Sequence, residues 1–126
     1  MTRLLLDTNV AVWLLLGERR SVTTVAQELL QDEGNDVALS AVSVWEMAIK
    51  RSLGKLEIED RWARELTRLG FDPLPVTAQH AEYVEHLPWH HRDPFDRLLV
   101  AQAVLDDRML VSADRRLSAY DVTVAW

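Results

Sequence analysis

Residues 3–17 read Arg3-Leu4-Leu5-Leu6-Asp7-Thr8-Asn9-Val10-Ala11-Val12-Trp13-Leu14-Leu15-Leu16-Gly17, and this stretch decides the fold. Three consecutive leucines stopped by an acid have the length and apolarity of a short buried strand. From Val10 to Leu16 the apolar residues continue as a helix, which ends near Gly17. The chain thus opens on a strand that feeds a helix. A second unit of the same kind follows, with Val37-Ala38-Leu39 as strand and Ala41 to Arg51 as helix. In that helix Val44, Trp45, Ala48 and Ile49 are expected to face inward, and Gly54 lies just beyond its end.

Further elements fit between and after these. Ser21 is expected to cap a helix whose apolar residues Val22, Val25, Ala26, Leu29 and Leu30 fall on one face, with Gly34-Asn35 as the stop. Trp62, Leu66 and Leu69 mark one face of a helix from about Asp60 to Leu69, with Arg61, Arg64 and Arg68 on its wet side. Phe71 to Val76 contains Pro73 and Pro75, so it is an edge strand or an extended connector, not a central strand. Thr77 caps a helix to about His86. After the loop Leu87 to Arg92, Asp93 stands at an N-cap and Pro94 at the first helical position, the sharpest helix start in the chain. Met109-Leu110-Val111 and Val122-Thr123-Val124 read as closing strands around a short helix that begins near Asp114. Strands alternating with helices need crossovers that cover both sheet faces. The expected fold is therefore a three-layer α/β/α domain, 1–126, with a central, mainly parallel sheet.

Composition narrows the function. Hydrophobic residues make up 48% and charged residues 27% of 126 positions, which suits one globular domain. No apolar run approaches the roughly 18 residues of a membrane helix, and Asp7 interrupts the only N-terminal apolar run at once, so neither a span nor a secretion signal is expected. Cysteine is absent, which removes thiolate catalysis, thiolate zinc sites and disulfides together and fits a cytoplasmic location. The net charge of −6 argues against holding nucleic acid by bulk electrostatics. It does not argue against a nuclease, because acids gathered at one metal site leave the remaining surface nearer balance. Arg19-Arg20, Arg92 with Arg97, and Arg115-Arg116 are candidates to steer a polyanion, although each pair taken singly reads first as solvated surface.

Four carboxylates stand where strands end or the following helices begin: Asp7, Glu46, Asp96 and Asp114. Each has a structural reading. Glu46 completes a Ser43-x-x-Glu46 capping box, Asp96 lies in a first helical turn, and Asp7 and Asp114 can cap the helices that follow them. Together they serve four units that open at one sheet edge, where ligands bind in such folds. Hard divalent cations take oxygen ligands, so the clustered acids point to a magnesium or manganese site. Metal would relieve the mutual repulsion of the carboxylates and could activate a water against a phosphodiester. Thr8, Asn9, Ser43 and Ser112 are neighbours able to orient a ligand, or to serve turns and caps. His86, His90, His91 and Asp93 have the donor types of a zinc site, but Pro88 breaks helical spacing there. His90 and His91 are read instead as loop residues packing near the acids.

Leu5-Leu6-Asp7-Thr8-Asn9, the run Ser40 to Lys50, the run His90 to Ala103, and Leu110-Val111-Ser112-Ala113-Asp114 together resemble the PIN-domain family, specifically its VapC-like toxins of type II toxin–antitoxin modules. The likeness runs from Leu4 to about Val124. It implies a small α/β/α domain, usually a homodimer, with Mg²⁺ or Mn²⁺ at the acidic pocket and endoribonuclease activity on RNA. It implies Asp7, Glu46, Asp96 and Asp114 as the catalytic metal-site acids, and a VapB-like antitoxin that sets a basic side chain into them. Asp93 matches the same segment but reads better as the helix cap. Ser112 stands where relatives often have Thr, which keeps the hydroxyl. Two rivals remain: a PIN-fold binding or regulatory protein without catalytic activity, and a phosphoacceptor receiver domain. The second wants a lysine at the edge of the last strands, whereas the only lysines are Lys50 and Lys55.

Overall fold

A computed structural model describes all residues, Met1–Trp126. Its strands are β1 (Arg3–Leu6), β2 (Asp36–Ser40), β3 (Asp72–Leu74), β4 (Met109–Val111) and β5 (Val124–Ala125). They form one sheet in the order β3-β2-β1-β4-β5, and every neighbouring pair is parallel. The helices are α1 (Thr8–Leu16), α2 (Thr24–Gln31), α3 (Ala41–Ser52), α4 (Trp62–Arg68), α5 (Ala78–Tyr83) and α6 (Pro94–Leu105). No helix is long and apolar enough to cross a membrane.

Successive strand residues point to opposite faces, so the three leucines of β1 serve two cores. Leu4 and Leu6, with Leu39 and Val111, pack beneath Val10, Ala26, Met47 and Leu66 from α1 to α4. Leu5, Ala38 and Leu110 face the other way, against Leu99, Val100 and Ala103 of α6, to which α5 packs. This gives the three expected layers. Pro73 is accommodated because β3 is an edge strand paired only to β2. Gly17 ends α1 in the left-handed region at φ 72°, where its amide reaches back to Leu14 O and a side chain would be strained.

Several local expectations shift. Ser21 closes a 3₁₀ turn, Arg19–Ser21, and the cap of α2 is Thr23, whose hydroxyl accepts from Ala26 N at 3.2 Å. Val22 is buried in extended backbone before the helix begins, so the helical face rotates and Val25 is exposed. The inward residues of α3 are Val42, Ser43, Glu46 and Met47; Trp45 and Ala48 face outward, Trp45 being 58% exposed. α4 ends at Arg68 and leaves Leu69 exposed. β5 begins two residues after the expected Val122.

The order of the strands reverses between β1 and β4: from β1 the chain moves outward through β2 and β3, then returns to the opposite side with β4. Such a switch point leaves a crevice at the carboxyl ends of the two strands. Asp7 follows one of them, and Ser112 to Asp114 follow the other.

Candidate metal centre

Asp7 is the residue between β1 and α1, with extended backbone, and its amide donates to Val111 O at 2.9 Å. That bond extends the β1–β4 ladder by one rung and sets the carboxylate at the crevice. The side chain is 5% exposed and does not cap α1. Its Oδ2 instead accepts from the Ser112 hydroxyl at 2.6 Å. The hydroxyl of Ser112 in turn accepts from Asp114 N at 3.0 Å, so one buried side chain orients both strand-end acids. Burial raises the Asp7 pKa above the ordinary carboxylate value, opposed by the Ser112 bond and the Thr8 amide and reinforced by the charges of Glu46 and Asp114.

Glu46 comes from the inward face of α3 and is buried. Its expected capping box does not form, because Ser40 caps α3 through Val42 N while the Ser43 hydroxyl accepts from Thr8. The Glu46 carboxylate is divided. Oε2 pairs with Lys50 Nζ at 2.8 Å, one turn on, whereas Oε1 is buried with no partner. A buried carboxylate oxygen without a donor is costly.

Asp93 and Asp96 divide the work of the α6 start. Asp93 accepts from Phe95 N at 2.8 Å and Asp96 N at 3.4 Å, with Pro94 in the first turn. Asp96 is thereby free of capping duty. Burial and then the charges of Asp7, Asp93, Glu46 and Asp114 push its pKa up to about 7. Asp114 caps the 3₁₀ turn Arg115–Ala119 and is gripped by the Arg116 guanidinium, Nε to Oδ1 at 3.0 Å and Nη2 to Oδ2 at 2.9 Å. Arg116 holds the Asp114 pKa down to about 2.

The four acids are thus electrostatically joined, but the tightest donor group in space is His91, Asp96 and Asp114. His91 Nε2 lies 3.2 Å from Oδ2 of each acid. The expected packing of His91 near the acids is correct; its hydrogen bond to Asp114 and its close approach to Asp96 were not legible from spacing. His90 packs edge-on against Tyr120 at 5.1 Å between ring centroids. Of the histidines considered for zinc, only His91 stands among the acids.

Arg97 is not available to steer a substrate. It is buried, donates to the carbonyls of Val84, Leu87, Pro88 and His91 and to Tyr120 Oη, and stacks 3.8 Å from the Trp89 ring centroid. Its task is to shape the segment that carries His91. Neither run of sequence around Arg97 signals this, because its acceptors are backbone carbonyls.

The donor set suits a hard divalent cation. Oxygens dominate, two of the acids are held above their ordinary pKa by burial and by like charge, and Glu46 Oε1 has no partner.

Comparison with known proteins gives the family and the fold. Residues 4–122 match the family described as PIN domain. A 28% identical relative over 127 residues, 95% of this chain and 93% of that protein, is "Ribonuclease VapC22" of Mycobacterium tuberculosis. Two solved structures share the fold: VapBC2 from Rickettsia felis bound to a promoter DNA fragment, TM-score 0.73 at 15% identity over 98% of this chain and 97% of that one, and FitAcB from Neisseria gonorrhoeae, TM-score 0.62 at 21% identity over 96% and 95%.

Proposed function

The chain belongs to the PIN domain family, and on that footing we propose that it is a metal-dependent endoribonuclease, the VapC-like toxin of a toxin–antitoxin pair. Asp7, Glu46, Asp96 and Asp114 are the acids assigned to Mg²⁺ or Mn²⁺ and to the reaction. The observation that carries this reading is the unpartnered Glu46 Oε1 on a carboxylate whose charge raises the pKa of both Asp7 and Asp96. Such a pocket is short of positive charge, and a divalent cation supplies it. When bound, the cation would polarise a phosphodiester oxygen and lower the pKa of a water.

The chain's own groups do the positioning. Ser112 holds Asp7 in one rotamer, and the Thr8–Ser43 hydroxyl bond at 2.9 Å ties the start of α1 to α3 beneath the pocket. Lys50 and Arg116 sit on Glu46 and Asp114 at the exposed rim. Asp114 is the acid whose contact with a cation requires a neighbour to move, since Arg116 engages both its oxygens. Both rim cations are within reach of a phosphate chain, which gives RNA a local foothold despite the net negative charge.

A VapB-like antitoxin is the proposed partner. The acidic pocket favours a basic side chain. The outward face of α3 adds an apolar groove of about 750 Å³, lined by Trp45, Ala48, Trp62, Leu66, Phe71 and Leu74. An apolar groove with Trp45 exposed at its edge supports a protein partner. The proposal also takes the chain as one domain that works as a homodimer in the cytoplasm.

Purified protein incubated with cellular RNA, and sequencing of the resulting ends with Mg²⁺, Mn²⁺ or chelator, tests the reading. Cleavage at a limited set of sites, dependent on metal and lost in Asp7→Asn, is expected. RNA left intact with either metal by folded protein would favour the binding-protein alternative.

A further inference from the structure

His91 is held from every side. Its amide donates to Tyr120 Oη at 2.9 Å, its carbonyl accepts from Arg97 at 3.5 Å, and the residue is only 8% exposed. Its ring is fixed as well. Asp93 N donates to Nδ1 at 3.0 Å, which occupies the Nδ1 lone pair. With Nδ1 accepting, the ring proton stands on Nε2, which faces Oδ2 of Asp96 and Oδ2 of Asp114, each at 3.2 Å.

We infer that His91 is a positioning residue: its Nε2–H, in a tautomer set by the Asp93 backbone, donates to Asp114 at the end of β4 and sets that carboxylate beside Asp96 at the start of α6, without ligating the ion. The inference rests on the metal reading above and deepens it. Asp96 and Asp114 lie at opposite ends of the α6–β4 segment, and two carboxylates left alone would part. The Nε2–H bonds Asp114 and lies 3.2 Å from Asp96 Oδ2, which offsets their repulsion and selects the rotamer of Asp114. Its approach to Asp96 is through Oδ2. Carboxylates that bind metals are commonly hydrogen-bonded by a second layer of donors in this way.

A His-Asp-Asp metal triad is the competing use of the same three residues. It needs the Nε2 lone pair for the metal and the proton on Nδ1. That proton would then oppose the Asp93 N–H at 3.0 Å, two donors with no acceptor between them. The backbone at the helix start therefore disfavours ligation by His91.

Long-range ¹H–¹⁵N correlations of the ¹⁵N-labelled full chain read the tautomer directly. The expected pattern is Nε2–H for His91 without metal, kept on addition of Mg²⁺. An Nδ1–H tautomer, or loss of the Nε2 proton when Mg²⁺ is added, would overturn the assignment. In parallel, calorimetric titration with Mg²⁺ should show binding weakened about ten- to a hundredfold in His91→Leu, and partly recovered in His91→Gln, whose amide can still donate. Equal Mg²⁺ affinity in His91→Leu and the unaltered protein would also overturn it. Should His91→Leu fail to fold, His91→Gln and the tautomer measurement decide. Failure of the unaltered protein to bind Mg²⁺ would sink the metal reading and this inference with it, whereas an Nδ1–H tautomer sinks only the role given to His91.

Discussion

The hydroxyl of Ser112 donates to Oδ2 of Asp7 at 2.6 Å, joining residues 105 positions apart at the ends of adjacent strands β4 and β1. The same hydroxyl accepts from Asp114 N. Ser112→Ala is therefore expected to raise the Asp7 pKa further and to free its rotamer. Metal affinity should fall roughly tenfold or more, while the lost bonds cost about 1 kcal/mol of stability. Mn²⁺ titration beside chemical denaturation separates the two effects, and unchanged Mn²⁺ affinity would show that Ser112 serves the sheet end alone.

The raised Asp96 pKa makes the metal-free protein sensitive to pH in a definite direction. The folded state holds the Asp96 proton more tightly than the unfolded chain, so the stability contributed is full below the ordinary carboxylate value and lost as pH rises through about 7. Asp114, lowered to about 2, works oppositely, but only in acid well below that window. In chelator the melting temperature should fall between pH 5 and pH 8, and Asp96→Asn should flatten that slope. A slope equal in both proteins would assign it to other groups.

Replacing the acids at the pocket should remove function without removing the fold. Asp7→Asn and Asp96→Asn are each expected to abolish metal-dependent RNA cleavage and to melt no lower than the parent, because relief of carboxylate repulsion outweighs the altered bonds. Cleavage at the parental rate in either, against metal-free controls, would take that residue out of the mechanism.

Asp93 and Asp96 stand one turn apart with different duties. Asp93→Ala loses a cap bonded to two amides and should cost about 1 kcal/mol of stability. Asp96→Ala should mainly cost activity. Denaturation curves and cleavage rates measured on both variants check the division; activity lost in Asp93→Ala at unchanged melting temperature would reverse it.

Metal bound only by the native state raises stability by linkage, by about 2.7 kcal/mol at a hundredfold excess over its dissociation constant. A double variant, Asp7→Asn with Asp114→Asn, should lose most of that response to Mn²⁺ in calorimetry. An antitoxin that inserts a basic side chain should also bind it more weakly. An undiminished Mn²⁺ response would place the metal elsewhere.

Arg97→Met should be the most destabilising of these substitutions, by about 3 kcal/mol, because it leaves the carbonyls of Val84, Leu87, Pro88 and His91 without their donor. Loss of the stacked guanidinium should alter Trp89 fluorescence as well. A variant as stable as the parent would mean that water replaces the guanidinium.

The sequence alone determined those features that depend on neighbours along the chain. Leu4-Leu5-Leu6 before Asp7, Val37-Ala38-Leu39 before the cap of α3, and Asp93-Pro94 before α6 each state a local element and its end, and parallel strands then bring their carboxyl ends to one edge. Asp7 and Asp114 were legible as strand-end acids for that reason. Tertiary structure decided everything that depends on what lies opposite. Trp45 and Ala48 satisfy helical periodicity as well as Val42 and Met47 do, but only the residues facing the sheet are buried, so an apolar groove lies where an inward face was expected. Arg97 reads as a surface charge until the carbonyls around it are assembled. His91 owes its place between Asp96 and Asp114 to a loop closed by Tyr120 and Arg97, contacts of 29 and 6 residues' separation that no local spacing encodes. A hydrogen bond needs a partner in space, and periodicity reports only the direction in which a side chain leaves its own helix or strand.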